Sequence, residues 1–331
     1  MASGSSLPYR LRPNKAVDRE LFLALLTRLS PSLGLEQYRY IGLGGPFLED
    51  FRLVHARLGI GRMTSVEAEE QTHRRQLFNR PIASIECVHD TLEDYLDGEY
   101  FDGPVIIWFD YTDPGSLSTQ IERFALTVGA VPTGSVLRLT LNANPSSLGK
   151  PDPHELSVEA DDEASEDRAV KPTIQEWRLA RFRERLGPLF PSGLSADGMT
   201  RKTYGQSILH ALKLAVDKEV LSHPDRQVVW TLATHYSDGQ PMVTATLVVC
   251  AADDKTITQL AEGWEFYSTT EQPHRLDLPA LSTLERLTME SNEDARGCLG
   301  FELPKSDMGV DPFDVFEKFY RIYPHFSRVH L

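Results

Sequence analysis

Short apolar runs alternate along the first half of the chain with longer segments in which apolar residues recur every three or four positions. The runs at 40–41, 63–66, 83–88, 105–109 and 135–141 predict strands, and the segments between them predict helices. The fourth run is apolar throughout, which is typical of a strand buried on both faces of a parallel sheet. The alternation therefore predicts an α/β fold, with a mostly parallel sheet and helices on both faces.

Two further apolar runs, at 227–236 and 242–250, are separated by Ser237-Asp238-Gly239-Gln240. Asp-Gly in a short connection between strands is a strong signal for a β-hairpin. The parallel series is therefore expected to end in an antiparallel strand.

Helical spacing of apolar residues extends over most of the intervening chain. One predicted helix carries Phe47, Phe51, Val54 and Leu58 on one face, directly after a glycine-rich turn. The other helices are predicted at 16–29, 68–79, 116–128, 173–186, 203–221, 255–262 and 281–290.

The glycine-rich turn, Gly42-Leu43-Gly44-Gly45-Pro46, lies between the first strand and this helix, and Glu67 ends the second strand. This order of elements is typical of a unit that binds an adenosine-containing cofactor: a strand, a glycine turn, a helix and a second strand that ends at an acidic residue. Phe47 stands where a dinucleotide motif has its third glycine, which favours S-adenosylmethionine over NAD. The alternative is that the glycines only make a tight turn.

Acidic residues also follow the third and fourth strands. Asp90 could meet the adenine amino group or cap the next helix. Asp110, Tyr111 and Asp113 follow the buried fourth strand, at the edge where open α/β sheets bind ligands. Asp110 or Asp113 could remove a proton from an acceptor or orient it.

Composition narrows the class of protein further. The chain has 331 residues and a formal net charge of −14, which makes nonspecific nucleic-acid binding unfavourable. Its three cysteines are far apart in sequence, so they indicate neither a disulfide framework nor a metal site. Neither a signal-peptide core nor a run of membrane-spanning length is present, and a cytoplasmic location is expected.

Patterning divides the chain into three regions. Residues 1–35 are expected to form an N-terminal arm and helix. Residues 1–15 carry a net positive charge and are interpreted either as a solvated leader or as an arm over the active site. Residues 36–250 are expected to form a methyltransferase-like main domain, with an acidic, mobile insertion predicted at 146–172 and a helical insertion at 173–202. Residues 251–331 form a helical and aromatic extension, whose aromatic residues are expected to make core, homodimer or partner-protein contacts.

This order of elements, over residues 36–250, resembles the class I S-adenosylmethionine-dependent methyltransferases. That family has a Rossmann-like, doubly wound sheet whose last strand is antiparallel and inserted next to the fifth. The resemblance implies that the glycine turn binds the methionine part of the cofactor, Glu67 the ribose and Asp90 the adenine edge. It also implies that Asp110 faces the transferred methyl group.

The run from Phe109 to Pro114 is somewhat similar to the Asp-Pro-Tyr-Gly turn of bacterial three-Cys-motif partner proteins. It departs from the signature of amino-methylating DNA enzymes, which disfavours adenine-N6 or cytosine-N4 as acceptor. Some relatives bind a divalent cation after the fourth and fifth strands. Here Asp110 and Asn142 offer a single carboxylate, so no metal site is predicted.

The sequence thus predicts an S-adenosylmethionine-dependent methyltransferase with an oxygen or nitrogen acceptor. A catalytically silent, methyltransferase-like partner protein and an NAD-dependent oxidoreductase remain as alternatives. Cofactor binding is assigned to Gly42, Leu43, Gly44, Gly45, Glu67, Ala68, Asp90, Thr91 and Asp110, and catalysis to Asp110, Tyr111 and Asp113.

Overall fold

The computed structural model describes residues 12–152, 172–306 and 308–323. Eight strands form one sheet. They are β1 (Arg39–Gly42), β2 (Arg62–Glu67), β3 (Ile85–His89), β4 (Val105–Asp110), β5 (Val136–Asn142), β6 (Arg226–Asp238), β7 (Gln240–Ala251) and β8 (His274–Leu276).

Helices connect most of these strands. They are α1 (Pro13–Leu33), α2 (Glu49–Leu58), α3 (Glu70–Asn79), α4 (Leu92–Asp97), α5 (Leu117–Ala130), α6 (Ile174–Leu186), α7 (Tyr204–Val220), α8 (Thr256–Glu262), α9 (Thr283–Glu290) and α10 (Pro312–Phe319).

The strand order is β3-β2-β1-β4-β5-β7-β6-β8, and β7 runs antiparallel to both of its neighbours. The hairpin predicted from Asp238-Gly239 therefore inserts its second strand beside β5, which confirms the predicted Rossmann-like α/β fold. One strand was not predicted: β8, from the region after residue 250, pairs in parallel with the outer side of β6.

The sheet separates two hydrophobic clusters, because successive side chains of a strand point to opposite faces. On one face, Ile106 and Trp108 of β4 pack in the same cluster as apolar residues of α1, α2, α8 and α10. On the other face, Ile107 and Phe109 pack in the same cluster as apolar residues of α4, α5, α6 and α7. Aromatic residues of the predicted C-terminal extension, including Phe313 and Phe316, thus share a core with the N-terminal helix.

Three local expectations were wrong. Helix α1 begins at Pro13 instead of residue 16, because proline suits the first helical position, where its missing N–H is not needed. Phe47 lies before α2 and is 38 % exposed, whereas Leu48 is buried with a φ of 53°. The N-cap of α4 is Thr91, whose hydroxyl accepts a hydrogen bond from the backbone N–H of Asp94, so Asp90 is not the cap.

Most of the predicted acidic insertion, residues 153–171, lies outside the described residues, as do residues 1–11 of the predicted arm. In the part of the chain that the structure describes, no helix has the length and apolar character needed to cross a membrane.

Candidate functional site

The glycine turn follows β1 at the carboxyl edge of the sheet. The backbone N–H of Gly44 donates a hydrogen bond to the Ser65 hydroxyl of β2 over 3.1 Å. A Cβ at Gly44 would lie 2.3 Å from Leu48 Cδ2, 2.6 Å from Ser65 Oγ and 2.9 Å from Phe51 Cε2. Any side chain there would displace the start of α2, so this glycine sets the path of the turn.

Gly45 has a φ of 52°, in the left-handed region that glycine adopts without strain. Together Gly44 and Gly45 keep the chain close to the ends of β1 and β2. Leu43 is partly buried against the apolar cluster on the face of the sheet that α4, α5, α6 and α7 cover. The structure therefore explains the glycines by turn geometry and packing, and their contact with a cofactor stays a prediction.

Glu67 and Asp90 lie together at the ends of β2 and β3. The backbone N–H of Asp90 donates to the carbonyl of Glu67 over 3.2 Å, which fixes the two strand ends side by side. Glu67 Oε1 accepts a hydrogen bond from the N–H of Glu69 at 2.9 Å, and partial burial raises the pKa of this carboxyl group. Asp90 Oδ1 accepts from the N–H of Thr91 at 2.8 Å.

Each of these two carboxylates has one oxygen in a local turn and is partly open to solvent. Ala68 and Thr91, which follow them, are exposed. The structure thus brings together the residues that the sequence assigned to the adenosine half of a cofactor.

Asp110, at the end of β4, has a different environment. Its side chain is only 8 % exposed, and Oδ2 forms an ion pair with Lys15 Nζ of α1 at 3.0 Å. Its other oxygen, Oδ1, is buried without a hydrogen-bond partner. A buried carboxylate oxygen left unpaired is unfavourable, so this atom has the capacity to accept a further hydrogen bond.

The N-terminus of α1 is held in place by the β6–β7 hairpin. Asp238 Oδ2 accepts a hydrogen bond from the backbone N–H of Lys15 at 2.8 Å, and Asp238 Oδ1 accepts one from the Asn14 side chain at 3.1 Å. The Asn14 side chain also accepts a hydrogen bond from the N–H of Leu278 at 2.8 Å. Asp238 thus caps α1 from a distant part of the chain, and the cap positions Lys15 beside Asp110.

The side chains of the other two predicted catalytic residues are engaged in hydrogen bonds within the protein. Tyr111 donates a hydrogen bond to Glu93 Oε1 at 2.6 Å, and burial together with that bond raises its pKa far above the usual value. Asp113 accepts hydrogen bonds from the N–H of Gly115 and the hydroxyl of Ser116, which lower its pKa. Tyr111 and Asp113 therefore shape the loop after β4, and their catalytic role stays a prediction.

The loops after β4 and β5 are tied to each other. Arg185 of α6 donates hydrogen bonds to the carbonyls of Pro114 at 3.0 Å and Ser147 at 2.9 Å. Asn142 Oδ1 accepts from the N–H of Asn144, so this amide oxygen already has a partner. Within residues 12–152, 172–306 and 308–323, no group of three or more His, Cys, Asp or Glu residues could hold a metal ion.

The sequence patterns did not assign three residues to this site: Lys15, Asn14 and Asp238. The interpretation of residues 1–15 as a solvated leader fails for Asn14 and Lys15, which are buried in α1. Pro13 was the available signal, since proline is frequent at the first position of a helix. The contact between Lys15 and Asp110, by contrast, spans 95 positions of sequence and leaves no local pattern.

A comparison with protein families decides the class. A family described as "Putative O-methyltransferase" matches residues 7–331. The chain belongs to this family. The match extends over both the predicted main domain and the C-terminal region, and it confirms the resemblance to class I methyltransferases. It also decides against the NAD-dependent oxidoreductase.

Similar solved structures include an O-methyltransferase from Bacillus cereus in complex with S-adenosylhomocysteine, at 15 % identity and a TM-score of 0.36, covering 74 % of this chain and 83 % of that one. Another is TomG from Streptomyces achromogenes, an O-methyltransferase of tomaymycin synthesis in complex with S-adenosylmethionine, at 14 % identity and a TM-score of 0.36, covering 70 % and 79 %. No curated protein matches the chain.

Proposed function

We propose that this methyltransferase transfers a methyl group from S-adenosylmethionine to a hydroxyl oxygen of its acceptor. The observation that carries the proposal is the Asp110 carboxylate, which Lys15 holds through Oδ2 while Oδ1 is buried without a partner. The description of the family as O-methyltransferases agrees with an oxygen acceptor.

The residues at the strand ends fit the proposed cofactor. Glu67 has a second carboxylate oxygen for the ribose hydroxyls, and Asp90 lies next to it for the adenine edge. The turn at Gly44 and Gly45 would hold the methionine part. When bound, S-adenosylmethionine supplies a methyl group already activated by the sulfonium, so the protein mainly has to position the acceptor.

Asp110 gives the acceptor preference its physical basis. A hydroxyl needs to lose its proton as its oxygen is methylated, and a carboxylate oxygen within hydrogen-bond distance can take that proton. Oδ1 can accept a hydrogen bond from the acceptor hydroxyl, while Lys15 fixes the orientation of the carboxylate through Oδ2. The Tyr111 hydroxyl keeps its proton and donates a hydrogen bond to Glu93, so it is a poor candidate for this base.

The test has two steps. Calorimetric titration with S-adenosylmethionine, S-adenosylhomocysteine and NADH should show binding of the first two only. Incubation with methyl-labelled S-adenosylmethionine and a panel of phenols, alcohols, carboxylic acids and amines should then label hydroxyl compounds. Label on amines alone would overturn the oxygen acceptor. Cofactor binding without transfer to any acceptor would favour the alternative of a silent partner protein.

Two variants separate cofactor binding from transfer. Glu67→Ala should weaken cofactor binding, since hydrogen bonds to a charged group contribute about 1.5–3 kcal/mol each. Asp110→Asn keeps the shape of the side chain but removes the base, so turnover should fall about 100-fold or more with little change in cofactor affinity. If Asp110→Asn reduced affinity and left turnover intact, Asp110 would be a cofactor ligand only.

A further inference from the structure

A cleft lies away from the proposed active site, at the outer edge of the sheet. It has a volume of about 460 Å³ and lies between β8 and α10. Its lining includes His274 and Arg275 of β8, Gly309, and Asp311 and Lys318 at the two ends of α10. The family match assigns no role to these residues.

Lys318 is held in this cleft by a histidine. Its Nζ donates a hydrogen bond to His274 Nδ1 over 3.1 Å, while His274 Nε2 donates to the carbonyl of Phe266 over 2.8 Å. Burial and the nearby Lys318 lower the pKa of His274 to about 4, so the ring is neutral near pH 7 and can accept from lysine. Burial also lowers the pKa of Lys318. The pair thus holds the Lys318 amine beside a neutral imidazole ring.

Two more cations border the same cleft. Arg275 Nη1 has a single, long contact of 3.5 Å with the carbonyl of Met308. Lys202 approaches from the loop before α7, since a Cβ at Gly309 would lie 3.3 Å from Lys202 Nζ. Among the described residues, none of Lys202, Arg275 and Lys318 forms an ion pair with a carboxylate.

The acidic residues of the cleft do not balance these charges. Arg296 pairs with Asp311 at 2.8 Å and with Asp314 at 3.5 Å. Asp311 also caps α10 by accepting a hydrogen bond from the N–H of Phe313. Counted over the described residues, the cleft is therefore locally cationic, in a chain whose formal net charge is −14.

We propose that this cleft is a binding site for an oxyanion, carried by a small molecule with a phosphate or carboxylate group. The guanidinium of Arg275 can donate two parallel hydrogen bonds to such a group, and the Lys318 ammonium adds a point charge. Gly309 has a φ of 74°, and its lack of a side chain leaves room for Lys202 to approach. This site does not depend on the proposed methyl acceptor.

Pyridoxal 5′-phosphate is a suitable probe because it carries both a phosphate and an aldehyde. Its aldehyde condenses with the unprotonated form of the Lys318 amine, which is in equilibrium with the ammonium, to form an imine and release water. Borohydride then reduces the imine to a stable secondary amine, which peptide mass spectrometry can locate. Labelling of Lys318 should be faster than labelling of Lys213, which forms a partly exposed ion pair with Asp217 at 2.6 Å.

The phosphate is expected to guide the probe through Arg275. Arg275→Gln should slow labelling of Lys318 by pyridoxal 5′-phosphate about tenfold, and should not change labelling by pyridoxal, which has no phosphate. Arg321→Gln, which removes an exposed ion pair with Glu265, is the matched control and should change neither.

Competition identifies the anion. Inorganic phosphate and citrate are added in separate arms, with sodium chloride at matched ionic strength. Protection of Lys318 by phosphate alone assigns the site to phosphate groups, and protection by citrate alone assigns it to carboxylates. Equal labelling of Lys318 and Lys213 without protection by either anion would overturn the proposal. As a second readout, phosphate should raise the melting temperature of the unmodified chain but not that of Lys318→Met.

Discussion

The two faces of the sheet are packed in different ways. On the face covered by α1, three residues of that helix form buried ion pairs: Lys15 with Asp110, Asp18 with Arg138, and Arg19 with Asp50. On the opposite face, α5 and α7 pack through apolar side chains such as Ile121 and Ile208.

The contrast is clearest at Arg138 of β5, which is fully buried. Its guanidinium lies over the rings of Phe22 and Trp108, at 4.7 Å and 4.9 Å, and donates to Asp18 Oδ2 at 2.7 Å. Asp18 Oδ1 accepts further bonds from the hydroxyls of Thr234 and Thr244. This network links α1 to three strands.

Apolar packing stabilises a helix on a sheet but specifies its position less strictly than ion pairs do, because hydrophobic contacts have little direction. Buried charges allow fewer arrangements, because an unpaired charge in the interior is strongly unfavourable. The ion pairs therefore fix the position of α1 along the sheet. That position brings Lys15 to Asp110, so the polar face determines the geometry of the proposed active site.

The largest effect is expected from breaking the network at Asp18. Asp18→Ala leaves Arg138 buried without its charge partner and should lower the free energy of unfolding by about 3–5 kcal/mol, measured by urea denaturation. The double variant Asp18→Leu with Arg138→Met, which removes both charges, should recover much of the loss. A single variant as stable as the unmodified chain would contradict the role given to this pair.

Acid should destabilise both faces through one histidine each. Burial and nearby Arg275 and Arg201 lower the pKa of His235 to about 4, and burial with nearby Lys318 does the same for His274. Because these values lie below the 6.5 of an unfolded chain, the unfolded state binds more protons, and stability is lost as pH falls from 6.5 towards 4.

Each histidine should contribute up to roughly 3 kcal/mol of this loss. His235→Gln and His274→Gln should each make the free energy of unfolding less dependent on pH in this interval, as measured by urea denaturation at several pH values. An unchanged dependence in both variants would mean that other groups cause the acid sensitivity.

A smaller effect is expected on the apolar face. Ile121 of α5 is fully buried, and Ile121→Val removes one methylene, which should cost about 0.5–1.5 kcal/mol of unfolding free energy. Cofactor affinity and turnover should not change, since this face does not position Lys15. A loss of turnover at full folding would show that the apolar face also controls the site.

The smallest effect is expected at the exposed ion pair between Glu20 of α1 and Arg57 of α2, 3.0 Å apart. Arg57→Met should change the unfolding free energy by less than about 1 kcal/mol, because solvent screens exposed pairs. A loss comparable to that of Asp18→Ala would remove the distinction between buried and exposed pairs on α1.

The proposed site could be predicted only in part. The carboxyl ends of parallel strands meet at one edge, so Glu67, Asp90 and Asp110 could be placed together from the strand pattern. The detailed roles were less accessible: Tyr111 and Asp113 stand beside Asp110 in sequence, yet their side chains bond to Glu93 and to the following turn. The direction in which a side chain points at the end of a strand depends on the loop that follows. Local sequence patterns do not specify this direction.

The sequence by itself determined the α/β fold, the hairpin at Asp238-Gly239 and the acidic residues at the strand ends. These features depend on periodicity and turn chemistry, which are local properties of a sequence. The tertiary structure alone decided that Asp238 caps α1, that Lys15 meets Asp110 and that Lys318 meets His274. Each of these contacts joins residues more than 40 positions apart, and pairing between such distant residues depends on how the whole chain packs.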